Sequence, residues 1–170
     1  MNYKISDIVM ALSSEITPAN MSLDDTLTGA DFGTALTLYP SVDFTLTDGA
    51  IWATFEMMEV WVPTKDIKIA FDYNLNATDN AKTVRMNVKT WATDSAETPS
   101  VTQDASYNED ITSGAGNTNK LTVLTCATAK VALAGLTSST KYITIKIARD
   151  NTVGSNYGGT FQLMAIKAFQ

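Results

Sequence analysis

Carboxylate pairs are the main material for catalysis in this sequence, because its 170 residues include no histidine and one cysteine. A glycosidase needs two carboxyl groups roughly 5–10 Å apart across a cleft, whereas neighbouring residues of a strand point to opposite faces. Without histidine, serine–histidine catalysis and histidine-ligated zinc are excluded. We therefore predict no enzyme. The three pairs to be located are Asp24 with Asp25, Asp94 with Glu97, and Glu109 with Asp110.

Oxygen-bearing side chains between residues 72 and 79 raise the alternative of a calcium site. Calcium needs several oxygen ligands that converge from a loop, and Asp72, Asn74, Asn76 and Asp79 supply oxygen. The run lacks the glycine and the terminal glutamate of an EF-hand, and Asx-rich turns explain it without a metal. We predict no metal and no cofactor, with calcium as an open alternative.

The single cysteine, Cys126, lies in the strand-like run LTVLTCATAK. It has no partner for an intrachain disulfide, and its expected role is that of a small buried hydrophobe. A reactive thiol is the alternative.

Aromatic side chains offer a second kind of site. Trp52, Trp61, Trp91 and Tyr73 could form a platform for a sugar ring. Large aromatics are more often core or subunit-interface residues. The core interpretation is favoured and the sugar platform is kept as an alternative.

Alternation of apolar and polar residues predicts the elements that position these groups. In DIKIAFDYNL every second residue is apolar, and AIWATFEMM, VRMNVK and ITIKIA behave alike. Such strands suit antiparallel sheets with one wet face. No helix-length pattern separates them, so we predict an all-β fold: an antiparallel β-sandwich of jelly-roll type, with about eight to ten short strands.

Residues 1–33 are predicted to form an N-terminal arm in front of a sandwich domain, residues 34–170. The arm contains one lysine and five acidic residues, a net charge of −4. One short helix is expected from Ser6 to Glu15, and it would order only against a basic partner surface. Its apolar stripe, a predicted subunit or shell interface, comprises Ile5, Ile8, Val9, Leu12 and Ile16.

Residues 93–119 are nearly free of large apolar side chains. Long polar excursions between strands often contact other molecules. The alternative is a simple surface loop.

Charge and hydropathy narrow the choice of partners. The net charge is −6, with no basic cluster, which argues against nucleic-acid binding. No apolar run approaches the roughly 20 residues of a membrane helix, and the N-terminus lacks the pattern of a signal peptide.

Three segments resemble bacteriophage jelly-roll domains. They are FTLTDGAIWATFEMMEVWVPTKDIKIAFDYNL, VRMNVKTWA and the C-terminal GLTSSTKYITIKIARDNTVGSNYGGTFQLMAIKAFQ. In the last, a Gly-Leu turn leads to a strand that ends in Arg149-Asp150, followed by a turn, glycine and a final strand. The resemblance implies a virion structural protein of the capsid-decoration or fibre type. It further implies a trimer whose partner is the major capsid protein or another virion protein.

Among these roles we expect a decoration (cement) protein on the capsid surface of the virion. The alternative is a fibre tip or baseplate appendage that binds host carbohydrate. Trp52 and Met58, on the second face of an apolar strand, are predicted to contact other subunits or the shell. Arg149 is expected to tie the turn at the strand end by a charge-assisted hydrogen bond. In the alternative, Arg149 and Asp150 are both simply solvated.

Overall fold

The protein is an antiparallel β-sandwich, as predicted. The computed structural model describes residues 2–4, 32–35, 39–45, 50–57, 63–77, 79–94 and 104–169. The strands are β1 (Asn2–Lys4), β2 (Phe32–Ala35), β3 (Tyr39–Phe44), β4 (Ala50–Glu56), β5 (Ile67–Leu75), β6 (Thr83–Asp94), β7 (Ala105–Thr112), β8 (Thr122–Val131), β9 (Thr140–Asp150) and β10 (Phe161–Phe169). One turn of 3-10 helix, Leu133–Gly135, follows β8.

Two sheets pack face to face. One has the order β2-β3-β10-β5-β8, with β1 beside β10, and the other has the order β4-β9-β6-β7. Every pairing between strands in the described residues is antiparallel. The alternating sequence explains this arrangement, because every second side chain of a strand reaches the space between the sheets.

The core lies between the two inner faces. Phe71 of β5, Met86 of β6 and Ile145 of β9 are each 0% exposed. Around them most inward positions of the long strands are apolar, with Glu109 and Arg149 as buried exceptions, and removing the apolar surface from water is the main stabilising term of the fold. The polar residues between them form the outer faces.

The predicted excursion at residues 93–119 is wrong in its middle, because Ala105–Thr112 forms β7. This strand pairs with β6 over its whole length. It has few apolar residues because it is an edge strand with one wet face. Its inward positions are Ala105, Tyr107, Glu109 and Ile111, and the small side chain and the carboxylate among them hid the alternation.

Part of the predicted arm belongs to a sheet. Asn2–Lys4 pairs with β10 as β1, and Phe32–Ala35 pairs with β3 as β2. The expected helix at residues 6–15, with its stripe from Ile5 to Ile16, lies outside the described residues. So do Met58 and Trp61. No helix that could span a bilayer occurs in the described part of the chain.

Candidate functional site

Arg149 lies inside the end of the sandwich, at the last turn of the chain. Its side chain is 7% exposed. Its guanidinium donates hydrogen bonds to the carbonyls of Phe44, at 3.1 Å, Gly159, at 2.7 Å, and Tyr157. The acceptors belong to β3 and to the turn before β10, so one cation joins both sheets and the turn. Arg149 is therefore not a simply solvated side chain, which was the alternative interpretation.

Tyr157 completes this arrangement, and we call Arg149, Tyr157 and Gly159 the end latch. The fully buried hydroxyl of Tyr157 accepts the N–H of Ala77, at 2.8 Å, and donates to the carbonyl of the same residue, at 2.9 Å. Burial raises the pKa of Tyr157, so the phenol stays a donor. A Cβ at position 159 would lie 2.5 Å from the Tyr157 hydroxyl oxygen. Only glycine fits there without displacement of the ring.

Asp150 points to the opposite face from Arg149 because the two are neighbours in β9. Its carboxylate accepts the N–H of Thr152 at 2.8 Å. Hydrogen bonds from Thr152 lower the pKa of Asp150. The two residues of the predicted pair therefore stabilise the same turn from different sides.

Glu109 of β7 is a second buried charge, 5% exposed, and it faces a bulge in β8. Lys68 of β5 pairs with Lys130 and Ala70 pairs with Thr125. Residues 126–129 of β8 therefore stand opposite Ile69 alone. A bulge of this size turns backbone N–H groups away from the sheet ladder.

The Glu109 carboxylate collects these N–H groups, and we call the contact the edge clasp. It accepts bonds from the backbone of Ala127, at 3.1 Å, Thr128, at 2.7 Å, and Ala129, at 2.5 Å. The Thr128 hydroxyl adds a fourth at 2.6 Å. Burial acts to raise the pKa of Glu109, but the hydrogen bonds from Thr128, Ala129 and Ala127 outweigh it and lower the pKa. The clasp joins the edge strands of the two sheets.

Glu109 and Asp110, considered above as a catalytic carboxylate pair, lie on opposite faces of β7. Asp110 lies on the outer face, where it forms two bonds with Arg85, at 2.6 and 2.7 Å. The two carboxyl groups thus point to different faces and share no cleft. Asp94 instead accepts bonds from Thr137 and Thr140, while Glu97, Asp24 and Asp25 lie outside the described residues.

A cavity of about 280 Å³ lies beside the bulge. Its lining is Asp66, Lys68, Thr125, Cys126, Ala127, Ala129 and Lys130. Cys126 is 8% exposed. Burial, and after it the charge of Glu109, raises the pKa of the thiol far above its usual range. The thiol therefore stays protonated, which speaks against the alternative of a reactive thiol.

The oxygen-bearing residues considered for calcium do not converge. Each bonds to a different neighbour: Asp72 to Lys167, Asn74 to Gln162, Asn76 to the N–H of Thr160, and Asp79 to the N–H of Gly158. The described residues contain no group of three or more Asp, Glu or Cys side chains that could hold a metal ion. The run is explained by strand and turn contacts.

The aromatic residues considered for a sugar platform are divided between core and surface. Tyr73 lies in the core, stacked on Phe161 with ring centres 5.1 Å apart, as the favoured core interpretation predicted, so it cannot belong to the alternative sugar platform. Trp52 of β4 reaches across β9 to Trp91 of β6, and their ring centres are 4.9 Å apart. The ammonium of Lys146 lies 4.7 Å from the centre of the Trp52 ring.

These rings belong to a strip along the outer face of the β4-β9-β6-β7 sheet, which we call the outer strip. Strand pairing arranges it in rows: Asn87 beside Asn108, Lys89 beside Lys146, Trp91 beside Thr144, and Thr93 beside Tyr142. Trp52 adjoins Lys146. The rows run from Asn87 to Thr93 of β6, six residue steps or about 20 Å at the usual strand rise. The strip combines amides, ammonium groups and aromatic rings.

Sequence reasoning found the strand end and the tryptophans but missed the clasp and the lysine pair. The inward position of Glu109 between Tyr107 and Ile111 was a usable signal, because an acid at an inward position needs partners. The pairing of Lys89 with Lys146 had no signal, since it depends on the register between β6 and β9. The sequence matches no protein-family model and no curated protein.

Proposed function

We propose that this protein is a structural component of a bacteriophage virion that decorates and stabilises the capsid shell. The observation that carries the proposal is the strand order, in which β3-β10-β5-β8 faces β4-β9-β6-β7. The chain changes sheet at every connection from β3 to β10 except β6 to β7. This order fits a jelly roll, the fold of two Greek keys common in viral capsids.

The chemistry of the described residues supports a structural role. The buried charged groups serve the fold: Glu109 closes the bulge, and Arg149 binds three carbonyls. Cys126 is buried and protonated. A decoration protein needs no reaction, only buried area and matching shape at its contact with the shell.

We further propose a homotrimer, suited to a threefold site of a shell. Leu121 and Val123 are 50% and 59% exposed at the start of β8, an edge strand. Apolar side chains that stand out from an edge are commonly covered by association of copies. Trp52, half-buried beside Trp91, stays a proposed contact with other subunits or the shell, and we add Leu121 and Val123 to it. Light scattering tests this, and an 18 kDa monomer at micromolar concentration would oppose it.

Mass spectrometry of purified particles tests the virion role. Hundreds of copies per particle are expected for a head decoration, and shells without the protein should lose resistance to heat and low salt. A few to tens of copies would instead indicate a tail or fibre protein. Absence from particles would refute the proposal.

The predicted arm gives a second test of shell attachment. Replacement of residues 5–31 by a short Gly-Ser linker, which can keep β1 and β2 in place, should abolish binding to shells if the arm is the anchor. Circular dichroism of the linker variant should retain the strand signal. Full decoration by the linker variant would contradict the role of the arm.

A second candidate is a fibre tip or baseplate appendage that binds host carbohydrate. The outer strip favours it, since this face carries aromatic rings and amides that the core does not use. The two roles differ in copy number and in whether the isolated protein binds sugar.

A further inference from the structure

The first half of β8 is a strand edge that pairs on one side only. β8 ends the order β2-β3-β10-β5-β8, so within the described part of the chain β5 is its one partner in the sheet. An exposed strand edge presents a row of unpaired N–H and C=O groups, which favours pairing with another chain. We call residues 121–125 the free edge. The bulge that faces Glu109 begins directly after it.

Proteins usually protect such an edge, and the free edge shows none of the usual means. These are charged side chains, proline, a bulge or a very short strand. Residues 121–125 read LTVLT, with neither charge nor proline. By contrast, the edge strand β7 contains Glu109 and Asp110, and the edge strand β2 has only four residues.

Side chains of the free edge divide between the core and water. Leu124 packs against the core. On the outer face Leu121 is 50% and Val123 is 59% exposed, the highest values among the large apolar side chains of the described residues. The edge strand β4 also lacks a charge before Glu56, but none of its large apolar side chains is exposed in this way. The free edge therefore combines unpaired backbone with exposed apolar side chains.

A second copy of this chain fits the free edge because LTVLT is compatible with its own reverse. In an antiparallel pair centred on Val123, that residue lies opposite itself and Leu121 lies opposite Thr125 of the second copy. These contacts share the outer face, since directly opposed residues point to the same side of a sheet. No charge enters the pairing, because the ammonium of Lys120 is turned back to the carbonyl of Ala115, at 2.7 Å.

We propose that two copies of this protein pair through their free edges, as antiparallel strands related by a twofold axis at Val123. The β2-β3-β10-β5-β8 sheets of the two copies then form one continuous sheet. The inference rests on the proposed association of copies through Leu121 and Val123, and it specifies the geometry of that contact. A twofold contact does not close a trimer, so it joins copies of neighbouring trimers, and the threefold contact belongs to another surface.

The interface is small, because each copy contributes five residues. Stable complexes bury about 1,600 Å² in total, and a pair of five-residue strands buries less. We therefore expect weak association in free solution, with a dissociation constant on the order of 100 µM. The contact becomes stronger where copies are held side by side, because their effective concentration rises.

Sedimentation equilibrium of the full chain, over concentrations that bracket this dissociation constant, tests the association. Val123→Lys places like charges opposite each other on the axis and should weaken the twofold step about tenfold. The matched control Leu133→Lys changes another exposed apolar side chain, 38% exposed, and should associate like the original protein. Equal association of Val123→Lys and the original protein would overturn the proposal.

A disulfide trap tests the register. In a Cys126→Ala background, Val123→Cys places two cysteines directly opposite each other, within reach of a disulfide. Thr125→Cys is the control on the same face, since its two cysteines would lie four residue steps apart, roughly 13 Å, which is too far to bridge. Under mild oxidation we expect linked dimers from Val123→Cys alone. Equal linkage in the two variants would contradict the twofold register.

The outcomes separate strand pairing from the other proposals. Loss of association in Val123→Lys without a cross-link in Val123→Cys would overturn strand pairing and assign Val123 to a head-to-tail contact, such as that of a trimer. Hydrogen exchange reads the backbone directly: residues 121–125 should gain protection at high concentration in the original protein and not in Val123→Lys. Failure of the pairing leaves the virion role untouched, because that role depends on copy number in particles.

Discussion

Arg149 and Glu109 are both inward-facing charges, 7% and 5% exposed, but they bind opposite ends of the peptide group. The end latch is a cation that collects backbone carbonyls. The edge clasp is an anion that collects backbone N–H groups. One closes an end of the sandwich and the other closes an edge.

The difference lies in how each charge can be lost. A guanidinium keeps its proton at any ordinary pH, so the latch fails only through a change in shape. A carboxylate gains a proton in acid and then becomes a donor that faces other donors. The latch therefore depends on packing, above all on Gly159, whereas the clasp depends on pH.

The largest effect is expected from Arg149→Ala. Its removal leaves buried carbonyls of Phe44, Tyr157 and Gly159 without donors, so stability should fall by about 3–5 kcal/mol. Urea denaturation measures this. The control Arg85→Ala removes an arginine whose ion pair with Asp110 lies at the surface, and its effect should be much smaller. Equal losses of unfolding free energy in the two variants would show that the latch contributes no more to stability than a surface ion pair.

Gly159→Ala should follow in size. The added methyl would meet the Tyr157 ring at 2.6 Å, and overpacking of this kind costs about 3 kcal/mol at its upper end. The control Gly154→Ala has no atom within 4 Å of the new Cβ and should change stability little. A thermal melt compares the two. Unchanged melting of Gly159→Ala would mean that the turn can shift freely.

Glu109→Gln should cost about 2 kcal/mol, because the amide keeps one acceptor oxygen but turns an NH₂ group toward backbone donors. Hydrogen exchange should show faster exchange at Ala127, Thr128 and Ala129 than in the original protein. Asp110→Asn is the matched control at the neighbouring outward position and should leave these three amides protected. Protection that persists in Glu109→Gln would refute the clasp.

The smallest and most specific effect is a pH dependence. The pKa of Glu109 is lowered in the folded protein. The clasp therefore contributes fully above the unfolded pKa of about 4.3. Its contribution is lost as pH falls through the lowered folded pKa. The stability difference between the original protein and Glu109→Gln should shrink below pH 4, while the deficit of Arg149→Ala should not shrink by this route. An unchanged Glu109→Gln difference at pH 3 would contradict this account.

Much of the fold could be predicted from residue order alone. The alternation in Ile67–Leu75 and Thr140–Asp150 marks strands because a period of two has one physical cause, a pleated backbone between core and water. The edge strand Ala105–Thr112 was not predicted, because it buries few side chains. An edge strand that buries only a few apolar side chains gives a weak alternation pattern in the sequence.

The candidate sites were less predictable. The sequence indicated Arg149 by its place at the end of a strand. It did not indicate that the side chain is buried or which carbonyl groups it binds. Tyr73 was grouped with the tryptophans, although alternation within its own strand already placed it with Phe71. Lys89 and Lys146 carry no local signal, since 57 residues separate them in sequence.

Composition and alternation by themselves determined an all-β antiparallel sandwich without histidine chemistry, because both follow from residue types and near neighbours. Tertiary structure alone decided which charges are buried and what they bind. The β8 bulge brings three N–H groups to Glu109, and the last turn brings two carbonyls to Arg149. These contacts depend on how consecutive strands are placed in opposite sheets and on the register of β8, and strand register cannot be read from local pattern.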